Sequence, residues 1–156
     1  MATHNYNFQK DYDPKRLASA SRANAPISTK YAVEFGNYFV GKRLSKAIKI
    51  TTDIIEGRDH LPLVKYRLKV AHRKGIAKRG TPTGRFPIKT AEFIKKLLVN
   101  VQANAEDKNL DADKLKVIHM FAVKGVTRTK SQPQGRISGK QRESKSTNIE
   151  VIVLEE

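Results

Sequence analysis

Residues 115–124 (LKVIHMFAVK) and 148–154 (NIEVIVL) are two runs rich in β-branched and aromatic side chains, as strands require, and a long polar stretch lies between them. Two such runs so close together predict one antiparallel hairpin over about 115–154, apolar at its base and polar at its far end. If pairing continues from Leu115 to about Lys130, the arm is roughly 50 Å long at about 3.3 Å per residue. A compact chain of this size has a radius of gyration of only about 15 Å. Much of the arm must then project beyond the body. A two-stranded ribbon without an apolar face is marginal in water, so something outside the protein has to hold it. The stretch 125–142 carries Arg128, Lys130, Arg136, Lys140 and Arg142 and no acid, which makes that partner anionic.

The placement of charge points the same way. Lysine and arginine number 31 against 15 acids, a formal net charge of +16 over 156 residues, which suit one domain, 1–156. Such self-repulsion weakens a compact state and is explained by a polyanionic partner. No acid falls between Asp59 and Glu92, a window holding Lys65, Arg67, Lys69, Arg73, Lys74, Lys78, Arg79, Arg85 and Lys89. None falls between Asp113 and Glu143 either. An ordinary solvated face mixes signs, so two long windows of one sign read as a phosphate-binding surface. No basic amphipathic helix accompanies them, and no apolar run approaches the ~18 residues of a membrane span, so a membrane partner is not expected. The N-terminus lacks the apolar stretch of a signal peptide, and the chain reads as soluble and intracellular.

The remainder predicts a helical body. Ser28 is placed to cap a helix through Tyr31, Ala32, Phe35, Tyr38 and Phe39, ending at Gly41. Ser45 is expected to cap a second, with Ala47, Ile48, Thr51, Ile54 and Ile55 on one face and Gly57 as its stop. A third begins near Pro87, and its Ala91, Ile94, Leu98, Val101 and Ala105 recur at three- and four-residue steps. Residues 16–23 alternate weakly and suit a third strand beside the hairpin base. The basic insertion over about 58–86, with its glycines and Pro62 and Pro82, reads as irregular. The fold class is α+β: a three-helix body packed on a small antiparallel sheet with a long protruding β-hairpin.

Catalysis finds no support. There is no cysteine, which excludes disulfides, thiol nucleophiles and cysteine-based zinc sites. Residues 75–81 (GIAKRGT) approach a phosphate-binding P-loop but lack the lysine after the second glycine. His4, His60, His72 and His119 have no metal-ligand spacing; His119, mid-strand, reads as packed or hydrogen-bonded. Asp111 and Asp113 suit turn and cap chemistry rather than a calcium loop. Glu34, Glu56, Glu92 and Glu106 fall on helices, where solvent-facing charge is the expectation. No metal and no cofactor is expected.

Helix-in-groove DNA readers carry their basic face on a helix, whereas here it lies on a loop and a hairpin. Extended basic segments suit the crevices of a folded RNA. The alternative is an architectural DNA-binding protein that embraces a duplex with its hairpin. Lys65, Arg67, Lys69, Arg73, Lys74, Lys78, Arg79, Arg85 and Lys89, with Arg128, Lys130, Arg136, Lys140 and Arg142 on the arm, are the expected phosphate contacts. Gly135 and Gly139 would permit tight turning or close approach to RNA.

Four segments together carry a resemblance: 84–91 (GRFPIKTA), 97–106 (LLVNVQANAE), Gly135-Arg136-Ile137 and 149–153 (IEVIV). They resemble the universal large-subunit ribosomal protein family numbered twenty-two in the bacterial scheme and seventeen in the eukaryotic one, over nearly the whole chain. Tyr12-Asp13-Pro14 and the insertion before Pro87 resemble its archaeal and eukaryotic form. The resemblance implies binding to large-subunit ribosomal RNA, a part in subunit assembly beside neighbouring ribosomal proteins, and a hairpin tip that lines the nascent-peptide exit tunnel and meets the nascent peptide transiently. Carried onto this chain, the tip is Ser131, Gln132, Pro133, Gln134, Gly135, Arg136, Ile137, Ser138 and Gly139. The family's tip is usually denser in arginine than this one.

Overall fold

The computed structural model describes residues 6–8, 12–68, 70–71, 83–136 and 138–156. Three antiparallel strands form one sheet in the order β1 (Leu17–Ala25), β5 (Gln141–Glu155), β4 (Leu115–Ser131), with β5 in the middle. Strand β1 is built of alanine, serine, arginine and asparagine, poor strand formers, yet it pairs with β5 from Leu17↔Leu154 to Arg22↔Ile149. Its alternation explains why. Ala18 and Ala20 are buried under the helices, while Ser19 and Ser21 look outward, so an apolar edge of β5 templates a strand that propensity alone disfavours.

Helices α1 (Thr29–Phe39), α2 (Leu44–Ile55) and α3 (Ile88–Glu106) cover one face of this sheet. Helix α1 presents Ala32, Phe35 and Phe39, α2 presents Leu44, Ala47, Ile50 and Ile54, and α3 presents Ala91, Ile94, Leu98, Val101 and Ala105 to a shared core. Val117, Val151 and Val153, all fully buried, meet them from the sheet. The contact between α1 and β4 is close: a Cβ on Gly36 would stand 2.8 Å from the Met120 carbonyl oxygen. The link between α1 and α2 is stitched to the same strand, with Gly41 N donating to the Val117 carbonyl (2.8 Å) and Val117 N to that of Lys42 (2.9 Å). At the other edge, Asn104 Nδ2 donates to the Ser19 carbonyl at 2.9 Å, tying α3 to β1.

The α+β class stands, and four local expectations need correction. Ser28 takes the N-cap position of α1, but its side chain makes no capping hydrogen bond. Ser45 does not cap α2; the helix starts earlier, at Leu44 with Arg43 in the cap position, because Leu44 is drawn fully into the core. Glu34 does not face solvent. It is 1% exposed, and its carboxylate accepts from Val64 N (3.1 Å) and Tyr66 N (2.6 Å), so a helical acid serves as the anchor for a loop. The segment 58–86 is also not wholly irregular, since β2 (Leu61–Pro62) pairs with β3 (Gly84–Arg85) to close its neck, with Leu61 and Leu63 buried below.

The outer face of the sheet is not bare. Phe8 lies 5.3 Å from the His119 ring, and Asn7 N donates to Glu150 Oε1 at 3.0 Å. His119 Nε2 meets the same oxygen at 2.9 Å, so this histidine is a hydrogen-bonded strand residue, as its position suggested.

Two substitutions probe the junctions that hold this body together. Gly36→Ala forces Cβ against a strand carbonyl that cannot turn away, and should destabilise by about 1–3 kcal/mol in denaturant titration. Glu34→Gln replaces a charged acceptor of two loop amides and should cost about 1.5–3 kcal/mol, with faster hydrogen exchange at Val64 and Tyr66; unchanged exchange there would refute the anchoring role.

Candidate nucleic-acid interface

Strands β4 and β5 pair from Leu115↔Glu155 outward to Ser131↔Gln141, and the register changes twice on the way. Ile118 is an extra residue near the base. Further out, Gly125 and Val126 together oppose Ser146 alone, since Lys124 faces Thr147 and Thr127 faces Lys145. Strand β1 bulges at the same level, between Arg22↔Ile149 and Ala25↔Thr147. Between the two bulges sits a polar knot. Asn24, in the left-handed region at φ 51°, accepts through Oδ1 from Val126 N (3.2 Å) and Ser146 Oγ (3.1 Å), and its own amide donates to Asn148 Oδ1 (2.8 Å). A Cβ on Gly125 would stand 2.7 Å from both Asn24 Oδ1 and Ser146 Oγ, so only glycine leaves the knot intact. Bulges bend and twist a ribbon; here they mark the level where the third strand ends and the free arm begins.

Beyond the knot the ribbon has two faces. Directly opposed residues in an antiparallel pair share a face, and neighbours along a strand alternate. Arg128↔Ser144 and Lys130↔Arg142 therefore set Arg128, Lys130 and Arg142 on one face with no acid among them. Thr127↔Lys145, Thr129↔Glu143 and Ser131↔Gln141 occupy the other, where Glu143 lies 3.6 Å from Lys145. All of Arg128, Lys130 and Arg142 are exposed. Lys130 directly opposite Arg142 is a like-charge pair that destabilises an isolated hairpin.

At the end, Gln132 N donates to the Lys140 carbonyl (3.1 Å) and Gly139 N to that of Gln132 (2.9 Å), closing a turn in which Ser138 N donates to Gly135 (2.9 Å). Gly135 (φ 91°) and Gly139 (φ 80°) both occupy the left-handed region, so the glycines serve the turn itself. Arg136 and Lys140 are exposed on it with Ser131, Pro133 and Gln134, while Gln132 is half-buried. Ile137 lies outside the described residues.

The other basic window is divided. Lys65 and Arg67 are exposed just past β2; Lys65 Nζ and Lys30 Nζ lie 5.9 Å and 5.7 Å from the Tyr66 ring, whose backbone Glu34 holds. Arg85 is half-buried in β3, and Lys89 is exposed in the first turn of α3. Lys69, Arg73, Lys74, Lys78 and Arg79 lie outside the described residues, as does the whole P-loop-like stretch 75–81. The structure thus joins Arg128, Lys130 and Arg142 on one face, with Arg136 and Lys140 at the tip, and sets Lys65, Arg67, Arg85 and Lys89 on the body.

Not every lysine on the body is available to a ligand. Lys42 lies over the Tyr38 ring at 3.9 Å and donates to the Tyr38 carbonyl; partial burial, then the neighbouring Lys46, holds its pKa below the usual lysine range. Asp111 accepts from Asp113 N (3.1 Å) and meets Lys114 at 3.0 Å, which lowers its pKa and gives it cap chemistry. Among the described residues no group of three or more His, Cys, Asp or Glu side chains could hold a metal, and no helix is long and apolar enough to cross a membrane. Sequence reading missed Lys145 as a candidate. It lies between Glu143 and Glu150, outside the acid-free windows, and only the strand register brings it to the root of the arm.

Comparison with known proteins bears on what this architecture is. The family model described as ribosomal protein L22p/L17e matches residues 20–154, which takes in most of the sheet, all three helices and the arm. The large ribosomal subunit protein uL22 of Ignicoccus hospitalis is 37% identical over 157 residues, covering 99% of each chain. That of Methanocaldococcus jannaschii is 39% identical over 150 residues, 95% of this chain and 94% of the relative. That of Aeropyrum pernix is 38% identical over 144 residues, 92% of each. An antiparallel sheet under three helices, an arm of cationic flank, and likeness over the full length to these relatives agree: the chain belongs to the ribosomal protein L22p/L17e family.

Proposed function

We propose that this chain is a structural constituent of the large ribosomal subunit, that it binds large-subunit ribosomal RNA and that it supports assembly of the subunit in the cytoplasm. It acts by shape and charge and is not an enzyme. The observation that carries the reading is the arm: a ribbon held to the body by strand pairing, with Arg128, Lys130 and Arg142 aligned on one face and unpaired with any acid on that face. In this reading these three, with Arg136 and Lys140 at the turn and Lys65, Arg67, Lys69, Arg73, Lys74, Lys78, Arg79, Arg85 and Lys89 on the body, touch backbone phosphates and position the protein without reading bases. The turn over residues 131–139 lines the nascent-peptide exit tunnel and meets the nascent peptide in passing, while neighbouring ribosomal proteins flank the body. The architectural DNA-binding alternative gains no support from any relative.

Two measurements test the reading. On a sucrose gradient of cell lysate the chain should co-sediment with large subunits; recovery with DNA and absence from large subunits would reverse the assignment. Replacing Arg128, Lys130 and Arg142 together with glutamine should leave the thermal melt of the free protein unchanged or slightly raised, because the Lys130–Arg142 repulsion is removed. Binding to large-subunit RNA should weaken on the order of a hundredfold, and the slope of log K against log salt should fall by about two. An unchanged slope would remove this face from the interface.

A further inference from the structure

The first turns of α1 and α3 open into one groove beside the root of the arm, lined by Pro26, Tyr31, Pro87, Lys89, Thr90 and Lys145. Both helix starts are left unfinished. No side chain caps either of them, and neither first turn contains an acid. The first intrahelical bonds are Ala32 N to the Ser28 carbonyl (3.0 Å) and Ala91 N to that of Pro87 (2.9 Å), so the amides of Lys30, Tyr31, Lys89 and Thr90 have no acceptor inside their helices. Two helix starts with free amides and positive dipole ends attract an anion.

A side chain makes the same demand independently. Thr90 is only 4% exposed, and its hydroxyl has no hydrogen-bond partner among the described residues. The two threonines of α2, by contrast, each bond a carbonyl of the preceding turn. Among the described residues only His60 Nε2 is both sealed from solvent and unpartnered, so the Thr90 hydroxyl keeps its small opening, and the surface Thr90 lines is this groove. Lys89 and Lys145 add two cations from different elements. Thr147 fixes the geometry: its hydroxyl donates to the Ile27 carbonyl (3.0 Å) and meets Thr29 Oγ1 (2.8 Å), binding the start of α1 to β5.

We propose that this groove holds one backbone phosphate of the bound RNA. The free amides of both helix starts, the Thr90 hydroxyl, Lys89 and Lys145 face the phosphate oxygens, and the adjoining ribose or base edge lies on Tyr31, Pro26 and Pro87. The phosphate competes with Glu143, which stands 3.6 Å from Lys145. The site rests on the RNA-binding reading above and deepens it: contact is made at the shoulder of the molecule, where arm and body meet, as well as along the arm.

Ser28→Asp puts a carboxylate where the phosphate would sit. It should complete the vacant cap of α1 and raise the melting temperature by about 2–4 °C, while weakening binding to deproteinised large-subunit RNA about tenfold and lowering the salt slope by about one. Thr90→Val removes only the hydroxyl; it should leave the melt unchanged or raised and weaken binding severalfold. A capping residue with no ligand would raise stability and leave binding alone, so opposite signs in the two readouts are the signature. If the unaltered chain binds this RNA, and the Arg128, Lys130 and Arg142 triple variant weakens it, but Ser28→Asp and Thr90→Val bind with unchanged affinity and slope, the groove is not a phosphate site. If the unaltered chain does not bind at all, the RNA reading itself falls.

Discussion

Everything that projects from this molecule depends on β5. It is the central strand of its sheet, with β1 on one side and β4 on the other, and its inner face, Ile149, Val151 and Val153, lies buried beneath the helices. Each such side chain removed from water contributes about 1.5–3 kcal/mol. That burial is concentrated at one end of a strand whose other end buries nothing. A two-stranded polar ribbon does not stabilise itself, so the arm is ordered only as far as the base can hold it. The pairing with β1 ends at Ala25↔Thr147, and the unsupported ribbon starts at Thr127↔Lys145. The free part is therefore five residue pairs and a turn, roughly 17 Å of ribbon at about 3.3 Å per residue, with the remainder of the long hairpin built into the body.

Charge then works against what pairing achieves. Strand geometry places Lys130 directly opposite Arg142 with Arg128 on the same face, and on the other face the exposed Glu143–Lys145 contact (3.6 Å) among threonine, serine and glutamine adds little attraction. The polar knot of Asn24, Gly125, Ser146 and Asn148 offsets this at the root by holding the two strands in a fixed bend. From the knot outward the arm is a spring of like charges that a line of phosphates would relax. An arm of this kind gains more from an anionic partner than a neutral one would, because the partner removes an existing repulsion as well as adding an attraction.

How much of this could be read from the chain follows from which forces act locally. The stripe Ala91, Ile94, Leu98, Val101 and Ala105 and the apolar base runs at 115–124 and 148–154 are set by periodicity and burial, and the α+β architecture follows from them. The start of α2 departs from local capping preference: Ser45 is a better cap than Arg43 in isolation, and the depth of Leu44 in the core overrides it. Glu34 has the sequence of a surface acid because its partners, the amides of Val64 and Tyr66, are thirty residues away and carry no side-chain signal. The two faces of the arm were equally hidden. Charge counting found Arg128, Lys130 and Arg142, but a bulge of one residue at Gly125 and Val126 decides which face each occupies, and a shift of one residue would exchange the faces. Lys145 and Thr90 belong to the same class, ordinary in sequence and joined only by topology.

The turn at the end of the arm completes the physical picture by contrast. Its shape comes from two glycines at positive φ and three backbone hydrogen bonds, and its only cations are Arg136 and Lys140. The flank of the arm and the shoulder groove carry the denser charge and the free donors. In the proposed assembly, phosphates would therefore hold the arm along its side and at its root, and the turn would be delivered by that grip instead of making it. A tip placed in this way would be free to vary in charge without loosening that grip.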